Sequence, residues 1–362
     1  MDFKKYVVLL GAVTLCAGFF SCDDDVDGEE PQPADTVITS DFFVLNRGNQ
    51  GENNASIAYY DAASGTLNDK FYEDANGSRL GDSAEDMLVY GSKMYVSVTN
   101  SNRLAVMDMS GKLVKAIEPE NEGGEPMRPR YLAADKGKIY MAYFYGHSIA
   151  VLDTASLEVE KVIPVGRYPE QIVVSNNKLY VANSGGNDYP NYGKTVSVIN
   201  LSSLEVEKEI EVVINPCRLE ANEKGDIYVI SMGNYEDIPN TLQRIDSTTG
   251  TVKTIGNGSC MDLRDGFLYV LYAPYGQAES VCVSKYDALT GEQVNDNLIP
   301  DMNKVFTLSS INVDASGNIY ITDAPYTETG SVYVYNKEGK NVAGSPVDSK
   351  GYGPNTVWVM GN

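Results

Sequence analysis

The chain has 362 residues with 50 acidic and 28 basic side chains, a formal net charge of −22. Such a surface repels a phosphate backbone and has no Lys/Arg cluster to offset the repulsion, which argues against nucleic acid as a partner. With one histidine, His147, a histidine-based metal site or a Ser-His-Asp triad is a poor prospect.

At the start of the chain, Lys4 and Lys5 precede an apolar run from Tyr6 to Phe20, and small Ser21 precedes Cys22. A charged start, a short apolar stretch and a small residue at the cut predict a secretory signal over residues 1–21. The run is too short to read as a membrane span. Gly18 to Cys22 resembles a bacterial lipobox, which implies that Cys22 becomes the lipidated first residue of the mature protein. Phe19 stands where that motif usually has Leu, and Cys16, after bulky Leu15, fits the motif worse. The plain alternative is an ordinary signal peptide cleaved nearby. Asp23 to Thr36 is acidic, Pro-bearing and nearly free of apolar side chains, so it cannot pack, and residues 22–40 are expected to form a solvated tether. Acidic residues directly after the lipid cysteine resemble the surface-export signal of Bacteroidota lipoproteins. That resemblance implies an outer-membrane, surface-exposed protein attached to the membrane by lipid alone; the bland reading is only a spacer.

From residue 41 to 362 the chain repeats. A Tyr-rich strand recurs at "KMYVSV" (from Lys93), "KIYMAY" (Lys138), "KLYVAN" (Lys178), "DIYVIS" (Asp226), "FLYVLY" (Phe267) and "NIYITD" (Asn318), with "DFFVLN" (Asp41) as the earliest copy. A second strand follows each and ends in Asp or Asn, from Asp61 to Asn336, at a period of about 46 residues. Each unit also has a preceding strand, such as "PRYLAA" from Pro129, and a following one, such as "LEVEKVIPV" from Leu157. Four strands per repeat is the signature of a propeller blade. The first unit lacks its preceding strand, and the chain's end, Pro354 to Met360, has a spare one. The expectation is an all-β, seven-bladed β-propeller whose C-terminal strand closes blade one.

Several tempting residues belong to the repeat. "DAASG" from Asp61, "DSTTG" from Asp246 and "DALTG" from Asp287 resemble calcium loops but fall at one recurring turn. There Asp can accept local backbone N–H groups and Gly supplies positive φ, whereas a Ca²⁺ shell needs six to eight oxygens. Tyr95, Tyr140, Tyr180, Tyr228, Tyr269 and Tyr320 read as blade packing.

In a zigzag blade, turns after the first and third strands share one face, and here they are tight. Loops after the second strand and the crossings between blades share the other face, and these are long. The longest, Asn183 to Lys194 ("NSGGNDYPNYGK"), far exceeds what a hairpin needs. It is joined by Asn46–Ala55, Tyr143–Ser148, Met232–Thr241, Ala273–Ser280 and Ala324–Ser331. Variable loops on a rigid scaffold are where function concentrates, and Tyr with Asn, Gly and Ser is the composition of adaptable binding surfaces. The candidate contacts are Tyr145, Tyr189, Tyr192, Tyr235, Tyr275 and Tyr326, with Asn183, Asn187 and Asn234 as amide partners. Arg130 and Arg218, near the starts of inner strands, either line the channel mouth or pair with acids across blades. Cys217 and Cys260 hold matching positions in adjacent inner strands, where a disulfide would staple two blades if the strands lie close enough. Cys282 is expected to be a buried free thiol.

At Val165 to Val212 ("VGRYPEQIVVSNNKLYVANSGGN…KTVSVINLSSLEVEKEIEV") the chain resembles the Tyr-Val-Thr-Asn propeller repeat family, which includes YncE-like proteins. The match is fair at Ser148 to Val165, weaker elsewhere, and specific for fold. Together with the lipoprotein start, it resembles the BtuG group of Bacteroidota surface propellers. That resemblance implies capture of cobalamin and its delivery to a TonB-dependent outer-membrane transporter, with no further cofactor. A surface adhesion or scaffold propeller binding protein or glycan is the second reading. A propeller enzyme of lyase or lactonase type is the third, for which His147 would be the sole histidine acid or base.

Overall fold

The computed structural model describes residues 37–274, 277, 280–300, 302 and 307–361. The signal segment, Cys22, Tyr275 and the tether up to Thr36 lie outside the described residues. Twenty-eight strands form seven antiparallel sheets of four strands each. Each sheet is a blade running outward from an inner strand, and the chain is a seven-bladed β-propeller. Pro354–Val359 is the innermost strand of blade one, pairing with Phe42–Asn46 so that Val357 stands opposite Val44. The ring is thus closed by backbone hydrogen bonds between the two ends of the propeller, as the missing first strand predicts.

The core lies between blades, not at the centre of the ring. Seven clusters of buried apolar side chains each draw on two neighbouring blades. The second and third strands of a blade are covered on both faces, so Lys138–Tyr143 and Ser148–Asp153 are buried almost throughout. Outer strands such as Glu205–Glu211 face water on both sides and are charged accordingly. The repeated tyrosines fill these interfaces: Tyr95, Tyr228 and Tyr320 are essentially inaccessible. A ring of this size buried in full contributes about 2–3 kcal/mol, and its hydroxyl needs a partner. Tyr228 Oη donates to the Ala288 carbonyl of the next blade at 2.9 Å. At the closure, Phe42 stacks on Tyr60 at 4.7 Å and meets Tyr320 of the last blade edge-on at 5.5 Å.

The recurring Asp turns are structural. Asp246 Oδ1 accepts the N–H groups of Thr248 and Thr249 at 3.0 and 2.7 Å, and Gly250 sits at φ 73°. Asp61 and Asp287 do the same work in their own blades. Two local features depart from the sequence reading. A six-residue helix, Phe71–Asn76, follows the outer strand of blade one, because Phe71 packs on Phe43 at 5.0 Å and Tyr72 is buried. Close packing also begins before residue 41, since Ile38 is buried among Val332, Val342 and Val347.

Candidate functional site

Inner strands of a seven-membered ring cannot meet at its axis, and the space they leave opens into a cavity of about 830 Å³ on the long-loop face. Every blade lends it a residue from the loop after its second strand: Asn49, Asn100, Tyr145, Asn187, Tyr235, Ala273 and Tyr326. Every blade also lends it residues from the start of its inner strand, which form the floor. Six of the seven inner strands slip register at that point, leaving Glu85, Arg130 with Tyr131, Glu170 with Gln171, Cys217, Ser309 and Asn355 without a paired partner. A β-bulge re-aims the side chains it carries, and here it turns polar groups into the funnel. Four of these strands open on proline, Pro129, Pro169, Pro216 and Pro354, which cannot donate to a ladder and suits a strand start.

The floor is charged and cross-linked. Arg130 Nε lies 2.8 Å from Glu170 and its Nη2 4.0 Å from Glu85, so one guanidinium ties blade three to blades four and two. It also lies over the Phe144 ring at 4.4 Å. Burial opposes the Arg130 charge, but the two carboxylates outweigh it and hold the group protonated. Burial lifts the Glu170 carboxyl, and Arg130 pulls it part of the way back. Arg218 donates from Nη1 to Tyr131 Oη at 2.6 Å and to the Cys217 carbonyl at 3.3 Å. Burial pushes Asp86 up to about 6, although its two oxygens accept Leu132 and Met87 N–H at 2.8 and 2.9 Å. Such inter-blade bonds recur around the channel: Gln171 to Leu219, Asp262 to Val313 and Asn312 to Val357.

Of the residues singled out from sequence, Tyr145, Asn187, Tyr235, Tyr326, Arg130 and Arg218 meet in this one cavity. Tyr145, Tyr235 and Tyr326 are 42%, 64% and 72% exposed, open apolar area at the rim. The other described candidates do not line it. Asn183 is buried inside its blade, where its Nδ2 donates to Thr195 and Ser197 at 3.0 and 2.8 Å. Asn234 is spent on its own loop, its Oδ1 accepting Glu236 and Ile238 N–H and its Nδ2 donating to Asp237. Tyr189 and Tyr192 stand outside the lining, as a T-shaped pair 6.1 Å apart that continues to Tyr235 at 6.2 Å. Cys217 and Cys260 are free and buried, with no disulfide between them; their thiols donate to the Ile230 and Ser309 carbonyls. Cys282 is free but only half-buried, at the start of a third strand.

The long insertion has a structural purpose. It closes on itself at Gly193 N–H to Ser184 carbonyl, 2.7 Å, where a Cβ on Gly185 or Gly193 would run into opposing backbone. On one side Asn187 Nδ2 donates to Tyr145 Oη of blade three at 2.9 Å. On the other, Tyr189 Oη donates to Glu236 of blade five at 3.1 Å. Arg167 anchors it from behind through an ion pair with Asp188 and a bond to the Asn191 carbonyl. The insertion therefore spans three blades and walls one side of the funnel.

Sequence reasoning missed Glu85, Asp86, Glu170 and Tyr131. A signal was present for two of the four: Glu170 and Tyr131 follow the proline that opens an inner strand, in the same positions as Arg130 and Arg218, whereas the strand with Glu85 and Asp86 opens on Ala84. Among the described residues no group of three or more His, Cys, Asp or Glu is placed to hold a metal ion.

Residues 40–343 match the domain of unknown function DUF5074, and the chain belongs to that family. Proteins of curated function include no match. Solved propellers resemble it in fold. A quinonprotein alcohol dehydrogenase-like protein from Bacteroides thetaiotaomicron superposes with TM-score 0.61 at 16% identity, over 88% of this chain and 78% of that one. A functionally unknown protein from Desulfotomaculum acetoxidans gives 0.61 at 13% identity, over 88% and 98%. The dihydro-heme d1 dehydrogenase NirN, in complex with DHE, gives 0.60 at 14% identity, over 91% and 78%. At these identities the likeness concerns the fold alone, and the fold hosts enzymes and non-enzymes alike.

Proposed function

We propose that the protein is a ligand-capturing propeller, anchored through Cys22 at the outer surface of an outer membrane, which holds a small molecule in the funnel and passes it to a TonB-dependent transporter. The observation that carries the reading is the funnel itself: about 830 Å³, fed by all seven blades, with exposed tyrosines at the rim and charged groups below. That volume suits a ligand of vitamin or cofactor size. A broad apolar face can lie on Tyr145, Tyr235 and Tyr326, while peripheral amides and oxygens find Asn49, Asn100 and Asn187 around the wall. Cobalamin or a related corrinoid, flat and fringed with amides, is the first candidate, supported by the resemblance of the chain to corrinoid-capturing surface propellers. Binding is favoured over catalysis because the two floor acids raised by burial are already engaged, Asp86 by backbone N–H groups on both oxygens and Glu170 by Arg130.

Calorimetric titration of the full chain with cobalamin tests this reading. One-to-one binding that weakens in Tyr235→Ala and Tyr326→Ala, and barely changes in Tyr192→Ala, supports capture in the funnel. Absence of heat together with an unchanged melting temperature under saturating cobalamin removes the corrinoid; pull-down from outer membranes with the same chain then tests the protein-binding alternative.

A further inference from the structure

The two arginines of the floor differ in what neutralises them. Arg130 has Glu170 and Glu85. Arg218 has no carboxylate within ion-pair distance among the described residues; its two hydrogen bonds to oxygen leave from Nη1, and its remaining side-chain partner is the Cys260 thiol. Its Nε–Nη2 edge, the one with which arginine grips carboxylates and phosphates through two parallel bonds, has no oxygen acceptor among the described residues. The side chains in direct contact with it carry no negative charge at neutral pH, and Glu170 and Asp86 act on it only from beyond ion-pair distance. Burial pushes the Cys217 thiol up to about 12 and raises the Cys260 thiol and Tyr131 as well, so all three stay protonated. The acids that face the floor are already engaged, Glu170 by Arg130 and Asp86 by two backbone N–H groups. A guanidinium does not escape by losing its proton, and a charge drawn out of bulk water without a directly paired counter-charge is costly.

We propose that the floor of the funnel is an oxyanion subsite, in which the Nε–Nη2 edge of Arg218, which meets no protein oxygen among the described residues, takes the carboxylate or phosphate group of the captured ligand. The inference rests on the reading of the funnel as a ligand site, and adds that the ligand is anionic at its inner end. The guanidinium is held in place for this by Tyr131, whose ring it overlies at 5.3 Å while bonding the hydroxyl. The acidity of the chain as a whole acts against an anion only over distances that salt screens within about 10 Å. The contact at the floor is direct.

Titration of the full chain with inorganic phosphate at low salt tests the subsite by itself. Wild type binds, and Arg218→Gln weakens binding by roughly 10-fold or more, as expected for loss of a charge-assisted pair of bonds. Arg218→Lys, which keeps the charge and loses the fork, is also weakened and serves as the test if the Gln variant does not fold. No phosphate binding by wild type, or unchanged affinity in a folded variant, overturns the proposal. A second arm compares cobalamin, which carries a phosphodiester, with cobinamide, which lacks it. The expected result is that Arg218→Gln weakens cobalamin more than cobinamide. If neither corrinoid binds while phosphate still depends on Arg218, the corrinoid falls and the oxyanion subsite stands. If cobalamin binds wild type and Arg218→Gln equally well, capture stands and the subsite falls.

Discussion

Acidification from about pH 8 to about pH 5 is expected to stabilise this protein, against the usual trend of acid denaturation. The cause is a set of carboxyls that the inner strands hold in poor solvation. Burial pushes Asp86 and Asp262 up to about 6 from an ordinary 3.8, and pushes Glu220, beside Asp262, well above its usual range. A carboxyl whose folded value is raised contributes stability that is complete below its unfolded value and is lost as pH rises through the folded one. Between pH 8 and pH 5 the linkage relation assigns each aspartate about 1.4 kcal/mol, so about 3 kcal/mol for the two, with Glu220 adding to the same side. One group opposes. His147 is held below its ordinary 6.5 by burial and by Arg167, so its contribution is lost as pH falls, to a limit of about 2 kcal/mol at pH 5. Carboxyls held low, such as Asp226 at about 2, lose their contribution only below the window. The balance is a gain of a few kcal/mol, or about 5 °C in melting temperature for a chain of this length. Scanning calorimetry at the two pH values measures it, with Asp86→Asn/Asp262→Asn as the control. General relief of self-repulsion at a net charge of −22 would leave the slope intact in that variant, whereas buried carboxyls predict that about 3 kcal/mol of the gain disappears with the two aspartates. A wild-type melting temperature equal or lower at pH 5 refutes the reasoning.

Three further outcomes are expected. Glu170→Gln leaves Arg130 with only a carboxylate 4.0 Å away, so it costs about 3 kcal/mol in chemical denaturation, while the paired change Arg130→Met/Glu170→Leu recovers most of that; equal losses in the two refute a buried-charge origin. Asn187→Ala removes the tie to Tyr145 and frees the insertion by about 1 kcal/mol, which raises hydrogen exchange over residues 184–193 without lowering the global melting temperature; a global loss refutes the local account. Cys217, with its thiol up at about 12, reacts with iodoacetamide far more slowly in the native protein than after denaturation, read peptide by peptide by mass spectrometry; a native rate like that of a free thiol overturns the assigned burial.

The ring was legible because its determinants are local and repeated. Tyr95, Tyr140 and Tyr180 recur at one register, and the missing first strand plus the spare Pro354–Val359 dictate closure without any knowledge of contacts. The site was legible by half, for a reason seen in its asparagines. Asn183 and Asn187 look alike in sequence. Asn183, however, is the last ladder residue of Lys178–Asn183, opposite Thr195, so strand alternation commits its side chain to the blade interior. Asn187 lies four residues beyond, in the loop, where no ladder fixes it. Asn234 is followed three residues later by Asp237, and a short loop with that pattern tends to satisfy its own backbone. Glu85 and Glu170 escaped notice because a bulge is a register slip, which depends on the partner strand and has no composition of its own.

The division of labour within the ring bears on why its floor is polar. Most of the apolar burial lies in the seven interfaces between blades, away from the axis. A sequence under pressure for stability alone would fill these positions with neutral side chains, since a buried ion pair contributes no more than well-packed apolar residues of similar volume. This chain instead places Glu85, Asp86, Arg130, Glu170 and Arg218 there, with Asp86 and Glu170 raised by burial and Arg218 without a carboxylate in ion-pair distance among the described residues. Local violations of good packing chemistry that the rest of the fold could avoid concentrate at functional sites. Here they concentrate under an open funnel, on bulges that turn them toward whatever enters it.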